Sequence, residues 1–105
     1  MTNLRVLLAD DHRMLREGLR RSMTEEGFDV VGEADNGEQA VRMAAELVPD
    51  IILMDVSMPE MDGVEATRII RATGTTTRVI MLTMHADKEV LAAGADIGTL
   101  QITAA

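Results

Sequence analysis

The sequence predicts an α/β domain built as a doubly wound parallel sheet. Three observations predict it: apolar runs of strand length that do not alternate with polar residues, helical-period segments between them, and acids or a hydroxyl closing three of the runs. Strands that alternate with helices require right-handed crossovers, hence a parallel sheet with helices on both faces. A sheet covered on both faces needs apolar residues at nearly every strand position, which the runs supply.

The first strand is LRVLLA (4–9), and RMLREGLRRSM (13–23) follows with Leu15, Leu19 and Met23 at helical spacing before Gly27. FDVVGEA (28–34) is the second strand. NGEQAVRMAAELV (36–48) then sets Ala40, Val41, Ala44, Leu47 and Val48 on one stripe, stopped by Pro49. IILM (51–54) is the third strand, GVEATRIIRA (63–72) the third helix, TGTTT (73–77) a loop and RVIMLT (78–83) the fourth strand. Beyond Thr83 the pattern weakens to a two-turn helix at ADKEVLAA (86–93) and a short strand at GTLQIT (98–103).

Composition narrows the function classes. The 105 residues, 47% hydrophobic and 27% charged, suit one small domain with one core. There is no cysteine, so disulfides and thiolate metal sites are excluded. No window reaches the ~18 apolar residues of a membrane span, and MTNLRVLLADDH lacks a cleavable leader pattern, so a cytoplasmic location with no membrane partner is the default expectation. The net charge of -8, from 18 acids and 10 bases, opposes direct nucleic-acid binding, and Phe28 as the only aromatic leaves nothing to stack on bases.

In open parallel sheets ligands bind beyond the carboxyl ends of the strands. Asp10 and Asp11 follow the first strand, Asp55 the third, and Thr83 closes the fourth. Converging carboxylates repel and raise one another's pKa unless a cation or proton neutralises them. Oxygen donors of this kind suit Mg²⁺, which in turn can neutralise a phosphoryl group. A carboxylate can itself be the nucleophile, forming an acyl phosphate. The bland alternative is that the Asp-Asp pair caps a helix, with Asp11 capping the one that starts near His12. Coincidence explains the pair alone more easily than the pair together with Asp55 and Thr83.

These residues carry a resemblance. DDH (10–12), DVSMPEMDG (55–63), Thr83 and GAD (94–96) resemble the receiver domain of two-component response regulators, in the branch whose receivers precede a LuxR-type helix-turn-helix output domain. The resemblance is specific from residue 4 to about residue 85. It implies a flavodoxin-like sheet of strand order 2-1-3-4-5, in which Asp55 is the phosphoacceptor for a histidine kinase or a small acyl phosphate. Asp10, Asp11 and Asp55 then hold Mg²⁺ with the Ser57 backbone carbonyl, and Thr83 supplies the switch hydroxyl. Ser57 and His85 tune loss of the phosphoryl group by hydrolysis. Such a domain is not an enzyme toward outside substrates. The alternative is a pseudo-receiver that acts as a phosphorylation-independent interaction module. An aspartyl-nucleophile phosphatase fits poorly, because the general-acid position two residues after the nucleophile is Ser57.

The neighbours have simpler readings. Pro59 and Gly63 shape the loop and open the third helix. Met54, Met58 and Met61 pack rather than bind a soft metal. His12 is left outside the site. Arg13, Arg16, Arg20 and Arg21 read as a solvated helix face, with kinase docking as the functional alternative.

The last quarter departs from the family pattern. The family places Lys at the end of its fifth strand; counting gives Gln101 or Ala105 here, the only lysine is Lys88, and no aromatic follows Phe28. Loss of that lysine removes a charge-assisted contact worth on the order of 1.5–3 kcal/mol in the phosphorylated state. Lys88, five residues past Thr83, is a candidate substitute. The chain reads as one receiver domain over 1–105, atypical after about residue 85, with a shortened fourth helix, the fifth missing and no output domain of its own. A sheet face left partly uncovered favours association into a homo-oligomer. Light scattering at high concentration should therefore give a mass above the monomer; a monomeric mass would contradict this.

Overall fold

The computed structural model describes residues 3–82 and the backbone of 83 and 99–101. Its elements in order are β1 (Arg5–Ala9), α1 (Arg13–Glu25), β2 (Asp29–Ala34), α2 (Gly37–Leu47), β3 (Ile51–Asp55), α3 (Gly63–Ala72), β4 (Arg78–Thr83) and β5 (Thr99–Gln101). One five-stranded sheet has the order β2-β1-β3-β4-β5, and every strand pair is parallel. This is the doubly wound, flavodoxin-like order expected from the sequence. Each expected strand and the first three helices lie within about two residues of the expected bounds, where hydrogen-bond fraying sets the uncertainty. The shortened fourth helix at 86–93, the missing fifth helix and the association assigned to the chain beyond Thr83 concern residues outside those described.

Period-two alternation within each buried strand sorts the core into two layers. Leu7 and Ala9 of β1, Ile52 and Met54 of β3, and Val79 and Met81 of β4 face α2 and α3, meeting Ala40, Ala44, Ala66 and Ile70. Val6, Leu8, Leu53 and Leu82 face the other way, against Leu19 and Met23 of α1 and against Phe28 and Val30. The layers differ in depth. α2 and α3 bury alanines, glycines, Thr67 and Ile70, because small side chains let a helix approach the sheet closely. α1 has no fully buried residue, since its contacts are made by the tips of longer side chains.

Polar side chains satisfy the backbone where the strands begin. Arg5 Nη1 donates to the carbonyls of Leu47 and Val48 at the end of α2 (2.7 and 3.1 Å), and the Arg5 backbone N–H donates to Asp50 Oδ2 (2.8 Å). The buried Thr77 hydroxyl donates to the Pro49 carbonyl (2.6 Å). Val48 takes φ 43 as the left-handed cap of α2. A β-branched residue is costly there, and Pro49 directly after it forbids continuing the helix.

The two layers should respond differently to truncation. Leu7→Ala, at a wholly buried position, is expected to lower the unfolding free energy by about 2–5 kcal/mol. Leu19→Ala on the shallower α1 should cost clearly less in the same urea titration.

Candidate functional site

The carboxyl edge of β1 and β3 is where polar groups enter an otherwise apolar sheet. β1 pairs with β3 so that Ala9 lies beside Met54, which brings Asp10, just past β1, next to Asp55, the last residue of β3. Ligand atoms of Asp10, Asp11, His12 and Asp55 all lie within 4.8 Å of one another. Asp10 and Asp55 are buried, whereas Asp11 and His12 face solvent.

Each acid is fixed by its local chain. Asp10 N–H donates to the Ala34 carbonyl (3.0 Å), extending the β1–β2 ladder one residue past the strand. Asp10 Oδ1 accepts the backbone N–H of His12 (2.7 Å), closing a tight turn. Asp10 Oδ2 is buried with no hydrogen-bond partner among the described residues. A buried carboxylate oxygen without a donor is strongly unfavourable unless a cation or proton reaches it. The helix-cap reading of Asp11 does not hold: the N-cap of α1 is His12, and no side chain caps it.

Asp55 is held by close packing beneath it. The Gly63 N–H donates to the Val56 carbonyl (2.8 Å), and a Cβ at Gly63 would run into the Asp55 carbonyl oxygen. The other side of the loop is pinned where Gly37 N–H donates to the Met61 carbonyl (3.0 Å), and there too a Cβ would meet the Met61 carbonyl. Glycine at both positions is required for space, not for backbone rotation. The Asp62 side chain accepts the Glu65 N–H (2.8 Å), capping α3. The loop role expected for Gly63 is thus a steric one with a direct bearing on the acid.

Electrostatics follow from this placement. The Asp55 carboxyl is pushed up from 3.8 to about 6, first by burial, then by the charges of Asp10 and Asp11, while the Ser57 backbone and His12 pull it down. Ser57 lies in the exposed start of the loop. Thr83 closes β4 one residue beyond Leu82, which pairs with Asp55. Across from Thr83 in β5 stands Gln101, so of the two candidate positions for the family lysine it is Gln101 that lies at a strand end.

Two residues near the site were misjudged from sequence. His12 lies with the acids: its Nδ1 is 3.4 Å from Asp10 Oδ1 and 3.2 Å from Asp11 Oδ1. Arg16 is not on a solvated face, its side chain being only 17% exposed. It donates through Nη1 to the Asp10 carbonyl (2.6 Å) and through Nε to Glu33 Oε1 (3.0 Å), tying α1 to the ends of β1 and β2. The helical spacing Arg13, Arg16, Arg20 held the signal, because Arg20 also reaches Glu33 (3.8 Å). Arg13 is exposed and pairs with Glu17.

An acid pair beside a third strand-end carboxylate, on a five-stranded parallel sheet of order 2-1-3-4-5, defines a class of small α/β domains with an acidic pocket at the sheet's carboxyl edge. The chain belongs to the response regulator receiver domain family, which it matches over residues 6–103. It is similar to the transcriptional regulatory protein YdfI of Bacillus subtilis (strain 168), with 44% identity over 95 residues, covering 90% of this chain and 44% of YdfI. Response regulator UvrY of Escherichia coli (strain K12) is 43% identical over 97 residues, covering 88% of this chain and 44% of UvrY. The chain thus spans under half the length of these relatives. Among solved structures, the signal receiver domain of the putative response regulator NarL from Mycobacterium tuberculosis superposes with a TM-score of 0.88 at 31% identity, covering 96% of this chain and 82% of that one. No helix among the described residues is long and apolar enough to cross a membrane.

Two predictions follow from the packing and charge of Asp55. Its folded pKa lies above the unfolded one, so the folded chain binds the proton more tightly. The resulting stability is fully present below pH 3.8 and is lost as pH rises through about 6. Such a shift corresponds to about 3 kcal/mol, which screening at the open mouth of the site reduces to about 1–2 kcal/mol. Without divalent cations at neutral pH, Asp55→Asn should therefore unfold at a higher temperature than the parent, with the gap closing near the unfolded carboxylate pKa. Gly63→Ala should destabilise by about 1–3 kcal/mol, measured by urea unfolding.

Proposed function

We propose that the chain is a phosphorylation-switched signalling module whose phosphoacceptor is Asp55. The observation that carries this reading is the buried carboxylate cluster: Asp10 Oδ2 has no partner, and the Asp55 pKa is raised by burial and by its acidic neighbours. Both features call for a cation. The oxygen donors of Asp10, Asp11 and Asp55, with the Ser57 carbonyl, fit Mg²⁺, a hard ion that favours carboxylate and carbonyl oxygens. When bound, Mg²⁺ neutralises charge on the cluster and on an incoming phosphoryl group.

The chain's own residues then have defined tasks. An Asp55 carboxylate oxygen attacks phosphorus of a kinase phosphohistidine; the P–O bond forms, the P–N bond breaks, and the leaving imidazole takes up a proton. Close packing around Gly63 keeps the Asp55 backbone from retreating, and Arg16 keeps Asp10 beside it. Thr83, at the end of the neighbouring strand, is the hydroxyl that binds a phosphoryl oxygen and passes the change onward. Turnover is limited to loss of the chain's own phosphoryl group, so the domain is not an enzyme toward an outside substrate. Its partners are a cytoplasmic histidine kinase and an output domain acting in transcription, in keeping with the printed description of YdfI as a transcriptional regulatory protein.

One observation favours a second reading, a receiver that works through binding alone. Gln101 stands where the family carries Lys, so one cationic contact to a phosphorylated Asp55 is missing.

Intact-mass analysis after incubation with acetyl phosphate and Mg²⁺ separates the two. The proposed function predicts one added phosphoryl group on the parent, none without Mg²⁺ and none on Asp55→Asn. A folded parent that adds nothing would favour the binding module.

A further inference from the structure

We infer that His12 is a nitrogen ligand of the divalent-cation site and makes it prefer borderline transition ions, such as Ni²⁺, over Mg²⁺. This inference rests on the divalent-cation reading of the acid cluster. His12 Nδ1 lies 3.2 Å from Asp11 Oδ1 and 3.4 Å from Asp10 Oδ1. Adjacent ligands of an octahedral ion with bonds of 2.0–2.1 Å are roughly 3 Å apart, so the three atoms are already spaced as neighbours on one ion. The imidazole is carried there by the tight turn in which Asp10 Oδ1 accepts the His12 backbone N–H at 2.7 Å. Arg16 anchors the same turn through the Asp10 carbonyl.

A second, independent observation points to a ligand at this place. Asp10, with a side chain only 2% exposed, offers Oδ2 with no partner among the described residues. The buried acids form the floor, while the His12 side chain is 70% exposed and lies at the mouth, where it can join or leave an ion without disturbing the core.

Chemistry sets the selectivity. Mg²⁺ prefers oxygen donors and gains little from imidazole, whereas affinity for mixed nitrogen and oxygen sites rises along the first-row series toward Ni²⁺ and Cu²⁺. Three carboxylates alone would discriminate weakly; one imidazole tilts the balance. In a cell this makes the occupying ion, and with it the rate of phosphoryl transfer, respond to transition-metal supply.

The test is isothermal titration of Mg²⁺ and Ni²⁺ into the parent, His12→Gln and Asp11→Asn, with proton NMR of the Co²⁺ form. The inference predicts that His12→Gln loses about tenfold or more in Ni²⁺ affinity while its Mg²⁺ affinity stays within about twofold. A hyperfine-shifted, exchangeable imidazole proton should be present in the Co²⁺ parent and absent in His12→Gln. The chain's other histidine, His85, is retained in that variant, so the loss assigns the ligand. Unchanged Ni²⁺ affinity in His12→Gln, with both ions lost in Asp11→Asn, would overturn the role of His12 and leave the acid site standing. No binding of either ion to the folded parent would overturn both.

Discussion

Mutual repulsion among Asp10, Asp11 and Asp55, in a place where two of the three are buried, is the constraint around which the carboxyl edge is built. Left to itself a chain would part these charges, and the surrounding contacts prevent that. Asp10 is fixed from behind by the ladder bond to Ala34 and by Arg16. Asp55 is fixed from below by Gly63, whose missing side chain leaves α3 pressed against the end of β3. The apolar strands beneath supply the free energy, because each fully buried Leu, Ile or Met contributes about 1.5–3 kcal/mol, and the buried set includes Leu7, Leu8, Ile52 and Met54. A few such side chains offset the cost of one strained carboxylate.

The asymmetry of the two layers has the same origin. α2 and α3 come close to the sheet through small residues, and both of their N-termini meet the loop after Asp55: Gly37 through Met61, and Gly63 through Val56. That loop is therefore clamped between two helix starts, each capped by its own side chain, Asn36 or Asp62. α1 stands further off and reaches the site through one long side chain, Arg16. A rigid loop on one side of the acids and a tethered helix on the other allow a charge change at Asp55 to be felt locally without loosening the core.

The sheet was legible in the sequence because burial on both faces leaves unbroken apolar runs such as VLLA and IILM, and because Gly27 and Pro49 mark helix ends. Asp10, Asp11 and Asp55 were legible because acids interrupting such runs stand out at the ends of strands. His12 and Arg16 were not, for a physical reason: their roles depend on a turn that swings the chain back over Asp10, and the spacing Asp10 to Arg16 fits no single-helix rule. Reading Asp11 as a cap failed for the same cause, since it is Asp10 that folds back onto the His12 N–H. Gly63 was read correctly as a loop residue, but its contact with Asp55 appears only when β3 and α3 are packed. Gln101 was one of two candidates by counting, and only the pairing of β5 with β4 separates it from Ala105.

The account stands on the claim that Asp55 is held above its ordinary pKa by burial and acidic neighbours, and that a divalent cation relieves this. Carbon NMR of the labelled Asp55 carboxyl, titrated with and without Mg²⁺, tests it most directly. The account predicts a midpoint at about 6 in the metal-free chain, falling well below that when Mg²⁺ is present. A metal-free midpoint at the ordinary aspartate value, or a raised midpoint that Mg²⁺ leaves unmoved, would contradict it.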